Sequence, residues 1–168
     1  MIEMPEWLPG LVTFKEYHGN WNAYVEAIYS YFREDFVESK PLFRGKLLRL
    51  KRHPLSNDKE ATFWHMIQEG KCEADRIPVI SRCERIRWPK PIIENEEDER
   101  IKVWRNERKG ERRICLLFEC GEEWYLVILA DRGSYILPWT AYPVKWEHRR
   151  KKLLKEYEVF CRKNPQES

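Results

Sequence analysis

The chain has 168 residues, which fits one domain of the usual size and is long enough to bury a core. Hydrophobic residues make up 42% of it and aromatic residues 14%, a composition that argues against a disordered chain. Its apolar runs are too short to span a bilayer, and the acidic, proline-containing N-terminus does not look like a signal peptide. We therefore expect a cytoplasmic protein that makes no membrane contact.

The residues that usually bind metals or phosphates do not form known patterns. The five cysteines are odd in number and include no CxxC pair, which argues against a disulfide framework and against a zinc site. The sequence has no HExxH motif, no calcium-loop pattern and no glycine-rich phosphate loop. It therefore predicts reduced thiols, no metal site and no cofactor.

The net charge is only +3, but the charges are unevenly distributed. Lys40–His53 carries six Lys and Arg residues and no acid, and Lys145–Lys163 carries eight against three Glu. The compensating acids crowd into Glu94–Glu99. Separate patches of one sign can direct a polyanion to one face of a protein. Basic helices are also often solvated surfaces, so each segment alone leaves both interpretations open.

The first half of the chain predicts helices and one basic strand. Apolar residues recur at spacings of three and four between residues 21 and 36, which is typical of an amphipathic helix. The partly alternating run LFRGKLLRLKRHP predicts an edge strand. Asn57 and Glu60 have the spacing of a capping box, which predicts a helix that ends at Gly70. A further helix is predicted over Val79–Trp88, before two prolines.

The second half predicts a sheet and a final helix. Four strand-like runs, IKVWRNER, RRICLLFE, EWYLVILAD and SYILPWTAY, are joined by links short enough for an antiparallel meander. The second and third runs are too apolar for edge strands, and Pro138 in the last run indicates an edge strand or the end of a strand. The closing basic helix is predicted to bury a stripe of apolar residues: Trp146, Leu153, Leu154, Tyr157 and Phe160.

These elements predict an α+β protein: N-terminal helices packed on a four-stranded antiparallel β-meander, with a C-terminal basic helix. Residues 1–56 are expected to form a helical extension that includes the basic strand. Residues 57–163 are expected to form the α+β core, and the two parts together make one compact domain.

His65 is the histidine in the most apolar surroundings, within FWHMI of a predicted helix. Such a histidine is more often a packed residue than a catalyst. Four arginines follow it, at Arg76, Arg82, Arg85 and Arg87. An arginine can hold a phosphodiester while a histidine moves a proton, so this combination permits chemistry on a phosphate.

Thr140 and Tyr142 are two residues apart in the last predicted strand, so both side chains point to the same face. The two hydroxyls could face a phosphate, although Thr and Tyr are also common strand residues. The spacing alone favours the second interpretation. His148 lies within the run EHRRKK, beside several cations.

The ordered motifs FWHMI, RCERIRW, YLVIL and TAY, followed by a basic helix, resemble the phage-associated branch of a superfamily that unites barnase, EndoU, RelE and the tRNA-cutting colicins. The resemblance extends from about Phe63 to Tyr157. It implies a fold of helices on a four-stranded antiparallel sheet. It also implies metal-independent cleavage of RNA, in which attack by the 2′-hydroxyl leaves a 2′,3′-cyclic phosphate.

The resemblance also implies roles for individual residues. By position, His65 matches the general acid or base, and Thr140 and Tyr142 match a hydroxyl pair that contacts the phosphate. The cationic residue is Arg82 as first choice or Arg76 as second, and Arg113 is a further candidate. Other substrate contacts are expected from the basic segments, at Lys46, Arg49, Arg149 and Arg150.

The sequence thus predicts an endoribonuclease of toxin type that acts on tRNA or mRNA. An inhibitor, or antitoxin, protein is a conceivable partner. Two alternatives stay open: an RNA-binding module without catalytic activity, which would keep the same basic groove, and a phage or prophage accessory protein whose arginines serve solubility.

Overall fold

The N-terminal part is built on an amphipathic helix, as predicted. A computed structural model describes residues 2–167, with the backbone alone for Glu73. In it α1 spans Trp21–Arg33 and continues into a π-helical segment, Glu34–Glu38. The side chain of Asn20 caps α1 by accepting a hydrogen bond from the backbone N–H of Ala23 at 3.1 Å. The buried face of α1 consists of Tyr24, Val25, Ile28 and Phe32.

The basic segment Lys40–His53 differs from the single edge strand predicted for it. It begins with a small hairpin of β1 (Leu42–Phe43) and β2 (Lys46–Leu47), whose turn has positive φ angles at both central residues. Beyond β2, the backbone N–H of Arg49 donates to the carbonyl of Ile136 at 2.8 Å. The turn residues interrupt the strand, and the rest of the segment docks beside the last strand of the main sheet.

Three short helices replace the two longer ones predicted between residues 57 and 94. They are α2 (Ala61–Ile67), α3 (Ile80–Glu84) and α4 (Pro89–Glu94), and a ribbon of β3 (Gln68–Glu69) and β4 (Ile77–Pro78) separates the first two. The prediction that Asn57 caps α2 is wrong, because Asn57 lies in the preceding turn at φ +50° and Glu60 is the N-cap. Pro89 begins α4, since proline is tolerated in a first helical turn.

The main sheet confirms the predicted meander. Its strands are β5 (Ile101–Arg108), β6 (Glu111–Cys120), β7 (Glu123–Asp131) and β8 (Ile136–Pro143), in the spatial order β5-β6-β7-β8. Strands β6 and β7 are central, and Pro138 lies in the edge strand β8. Lys109 and Gly110 form the first link with positive φ angles, the geometry that matches the twist of a hairpin. The α+β class is therefore confirmed.

Helices cover both faces of this sheet. Helices α1 to α4 pack on the face that contains Phe118, and α5 (Glu147–Lys163) packs on the face that contains Leu117. Because neighbouring residues of a strand point to opposite faces, strands buried on both sides are apolar along their length. The larger core joins side chains from residue 12 to residue 141, so the part of the chain before residue 57 shares a core with the residues that follow.

Helix α5 is basic, as predicted, but its buried stripe begins later than predicted. Leu153 is buried, and Tyr157 and Phe160 pack beside it. The prediction that Trp146 belongs to this stripe is wrong, because Trp146 precedes the helix as its N-cap residue and is exposed. Among residues 2–167, none of the helices has the length and apolar character needed to cross a bilayer.

Candidate functional site

Four residues from α2, α3 and β8 meet beside the edge of the sheet. The hydroxyl of Thr140 donates a hydrogen bond to the backbone carbonyl of His65 at 3.2 Å, and the Arg82 guanidinium approaches the same hydroxyl at 3.5 Å. The guanidinium also lies over the ring of Tyr142, 4.9 Å from its centre. We call these four residues the Arg82 cluster. They come from positions up to 77 residues apart in the sequence.

The register of β8 explains why Thr140 and Tyr142 lie on the same side of that strand. Thr140 pairs with Ile128 of β7, and Tyr142 pairs with Leu126. Both β7 residues belong to the core beneath α5. Thr140 and Tyr142 therefore lie on the same side of the strand, as alternate positions do.

Arg82 is a largely buried cation whose side chain is 12% exposed. Its guanidinium donates to the backbone carbonyl of Gln68 at 2.7 Å and lies 3.5 Å from the carboxylate of Glu69. Burial lowers the pKa of the Arg82 guanidinium, an effect that Glu69 opposes and that nearby Arg76 reinforces. A cation in such a site is stabilised by an anion that binds next to it.

Arg76 provides a second donor close to this position. Its Nε atom is shielded from solvent and has no hydrogen-bond partner among the described residues. A buried donor without an acceptor costs about 1–3 kcal/mol, and proteins usually satisfy such groups with water or a ligand. Arg82 and Arg76, the first and second candidates for the cationic residue, thus lie close enough for Arg76 to affect the pKa of Arg82.

A cleft of about 390 Å³ opens beside the Arg82 cluster. Arg82 and Tyr142 form part of its wall, and Arg149 reaches it from the first turn of α5 and donates to the Tyr142 hydroxyl at 3.0 Å. His148 and Trp146 line the same cleft. Two guanidinium groups and a phenol arranged in this way can hold the non-bridging oxygens of a phosphodiester.

His65 belongs to the cluster through its backbone, whereas its side chain is buried. The residue is 4% exposed, and its ring packs edge-to-face against Trp139 with ring centres 5.3 Å apart. It is absent from the cleft wall as far as residues 2–167 define that wall. A general acid or base must come within hydrogen-bond distance of the substrate, directly or through one water. Substrate can reach the His65 ring only if the surrounding side chains move.

Arg150 makes its contacts within the fold. Its Nε donates to the carbonyl of Val144 and its Nη2 to the carbonyl of Glu122, each at 2.8 Å. Its guanidinium also lies over the ring of Trp124. These contacts fasten the start of α5 to the sheet, so the donors of Arg150 are used within the fold.

Arg113 and Lys46 lie apart from the Arg82 cluster. Arg113 lines a second cleft of about 460 Å³ together with Asn106 and Phe160. Lys46 lies 3.8 Å from the carboxylate of Asp131. The structure therefore brings together only some of the predicted substrate contacts.

Cations follow β8 from its start to its end. In order along the strand they are Arg49, Lys51, Arg82 and Arg149, which we call the β8 cation row. The first two lie over the rings of Tyr135 and Trp139, at 5.1 and 5.9 Å from the ring centres. At about 3.3 Å per residue, the strand extends over roughly 25 Å. The two basic segments thus contribute to opposite ends of one sheet edge.

Sequence reasoning missed two residues of the cleft. It sets His148 aside because of the cations beside it, and it assigns Trp146 to the buried stripe of α5. The useful signal is their place in the junction between a strand and a helix, immediately after Tyr142. Residues in such a junction lie at the same end of the strand as its last side chains.

Among the side chains that the structure describes, no three His, Cys, Asp or Glu residues are arranged to hold a metal ion. Comparison with protein-family models gives no matching family, and comparisons with curated proteins and with solved structures give no significant match. The resemblance to the endoribonuclease superfamily therefore stays a prediction.

Proposed function

We propose that this protein is a metal-independent endoribonuclease of toxin type that acts on RNA in the cytoplasm. The observation that carries the proposal is the contact of Arg82 with Thr140 and Tyr142, beside a cleft that also holds Arg149. The resemblance predicts Arg82, Thr140 and Tyr142 as site residues although Arg82 is far from the other two in the sequence, and the three lie in one cluster. The β8 cation row supports the proposal because RNA is a polyanion.

In the proposed reaction, the 2′-hydroxyl of a ribose attacks the adjacent phosphorus. The bond between the 2′-oxygen and phosphorus forms, the bond from phosphorus to the 5′-oxygen breaks, and a 2′,3′-cyclic phosphate results. The 2′-hydroxyl gives its proton to a base, and the leaving 5′-oxygen takes one from an acid. Arg82 and Arg149 stabilise the charge on the five-coordinate phosphate. The hydroxyl of Tyr142, which Arg149 orients, donates to the same oxygens.

Two histidines are candidates for the residue that transfers the proton. The resemblance assigns it to His65, whereas position in the cleft favours His148. Because His65 is buried against Trp139, we assign proton transfer to His148. We assign His65 a positioning role, since its carbonyl holds the Thr140 hydroxyl.

Incubation of the purified protein with total RNA in excess EDTA tests the proposal. We expect fragments whose 3′ ends can be ligated only after the cyclic phosphate is removed. Tyr142→Phe should lower the rate about 10²- to 10³-fold, as expected for loss of one donor to a developing charge. His148→Ala should lower it about 10²- to 10⁴-fold. A Tyr142→Phe variant that cuts at the wild-type rate would place the chemistry elsewhere.

An RNA-binding module without catalytic activity is the second candidate, and two observations favour it. The Arg82 guanidinium already donates to Gln68 and Thr140, and the ring of His65 is buried. Wild-type protein that binds RNA but produces no cyclic-phosphate ends would support this candidate. An inhibitor protein that covers the cleft is compatible with either function.

A further inference from the structure

Trp146 is exposed in a way that folding does not explain. All eight tryptophans lie within the described residues, and Trp146 is the only one whose side chain is exposed rather than buried or partly buried. Its exposed fraction is 72%. Tryptophan is usually among the more buried residues, because it removes a large apolar surface from water. An indole in this position gains little for the stability of the fold.

The position of Trp146 immediately before α5 gives no alternative reason for its presence. It is the N-cap residue of the helix, and its side chain makes no capping hydrogen bond. Indole has a donor but no acceptor, so it cannot satisfy the free N–H groups of the first turn as Ser, Thr, Asp or Asn would. The exposed face of the indole is therefore available to contact a ligand.

The surroundings of Trp146 indicate what it binds. It lines the cleft together with Arg82, Lys145 and Arg149, while Glu69 is the only acid in that wall among the described residues. An aromatic face beside an excess of positive charge matches a ligand with a flat ring and a phosphate. A nucleotide unit of a single-stranded nucleic acid has both.

We infer that Trp146 is a base-stacking platform that makes the cleft select single-stranded RNA over duplex. The base next to the bound phosphate stacks on the exposed indole, while Arg82 and Arg149 hold the phosphate. In a duplex, both faces of each base are covered by neighbouring base pairs, so no face is open to the indole. The inference rests on the RNA-binding part of the proposed function. It adds that Trp146 makes the protein prefer single-stranded RNA to duplex RNA.

Affinity measured with RNA that cannot be cut tests this inference separately from catalysis. The probes are fluorescein-labelled 2′-O-methyl oligonucleotides, which lack the nucleophile: a single strand, the same strand with abasic sites, and a duplex. Wild-type protein should bind the single strand more tightly than the duplex or the abasic strand. Trp146→Ala should weaken binding of the base-containing single strand roughly 5- to 150-fold, as for loss of one stacked base. It should leave the affinity for the abasic strand unchanged.

Two further variants separate stacking from charge and from folding. Trp146→Phe keeps an aromatic face and should recover most of the lost affinity. Lys145→Ala removes a cation from the same cleft and should weaken binding of the base-containing and abasic strands by the same factor. Thermal unfolding of each variant should stay close to that of the wild type, because neither side chain is buried.

Several outcomes would overturn the inference. One is that the wild-type protein binds the duplex as tightly as the single strand. Another is that Trp146→Ala keeps the wild-type affinity for the base-containing single strand. A third is that Trp146→Ala loses as much affinity for the abasic strand as for the base-containing strand. Failure to cut RNA bears only on the proposed activity, since these probes cannot be cut. Failure to bind any oligonucleotide would contradict both.

Discussion

At the scale of single residues, Arg149 and Arg150 show how the fold gives different positions to neighbouring cations. Both lie in the first turn of α5. The Arg149 side chain turns into the cleft and donates to Tyr142, whereas Arg150 donates to two backbone carbonyls at the end of the sheet. The sequence shows two equivalent arginines. The difference comes from which carbonyls and hydroxyls the tertiary structure places around each one.

This contrast provides a matched pair of variants. Arg149→Ala should weaken affinity for single-stranded RNA about 10-fold or more, because a charged contact to phosphate is lost. Its free energy of unfolding should change by less than about 1 kcal/mol. Arg150→Ala should lower the free energy of unfolding by about 1–3 kcal/mol, because two carbonyls lose their donor. Fluorescence anisotropy and urea unfolding measure the two quantities. An Arg150→Ala variant with the larger loss of RNA affinity would contradict the assignment.

At the scale of elements, the π-helical segment after α1 partly buries a carboxyl group. Burial raises the pKa of Asp35 to about 6, although the cations Lys90 and Arg87 act in the opposite direction. The pKa of an aspartate in the unfolded chain is about 3.9. Between these two values the folded protein binds more protons than the unfolded one, so stability falls as the pH rises from about 4 to about 6. Well above pH 6 the carboxyl is ionised in both states, and the loss of stability is complete.

Replacement of this carboxyl should therefore stabilise the protein at neutral pH. Asp35→Asn removes the charge that burial disfavours, and we expect a gain of up to about 1 kcal/mol at pH 7.5, reduced by solvent screening of the partly exposed group. At pH 3, below the pKa of the carboxyl in the folded and in the unfolded state, the group is largely protonated in both, so the two proteins should be about equally stable. Urea unfolding at pH 7.5 and at pH 3 measures the difference in the free energy of unfolding between Asp35→Asn and the wild type. A gain of equal size at both would show that the carboxyl does not titrate as stated.

Element ends depend on interactions that the local pattern does not contain. The period-two runs predict β5 to β8 because each strand carries its own apolar pattern and each link carries its own turn residues. The predicted cap at Asn57 fails because that residue is used in a turn closed by hydrogen bonds between Ser56 and Lys59. The predicted basic strand fails because a turn with positive φ angles interrupts it after β1.

At the scale of the whole molecule, the two basic segments lie at opposite ends of β8. Arg49 is anchored at the start of the strand by a backbone hydrogen bond to Ile136, and α5 begins just after its end. A polyanion that follows the strand therefore meets cations along its path. Such binding releases counterions and must weaken as salt concentration increases.

RNA affinity should fall steeply between 50 and 200 mM salt. Lys51→Ala should reduce the slope of log affinity against log salt by about 0.7, the contribution of one contact to a single strand. Arg108→Ala is the matched control, because Arg108 lies on β5, the opposite edge of the sheet. Its removal should leave the slope nearly unchanged. A flat salt dependence of the wild type would favour the accessory-protein alternative.

The sequence by itself determined the α+β class, the four strands, their order and the basic final helix. These features follow from apolar periodicity and turn residues, which act over a few positions in the chain. Through a resemblance, it also predicted the residues of the Arg82 cluster. Only the tertiary structure decided that Arg82 meets Thr140 and Tyr142, that His65 turns its ring into the protein, and that Trp146 stands exposed at the cleft. The physical reason is that such contacts join distant residues, and their geometry depends on how helices pack against a sheet edge rather than on any local pattern.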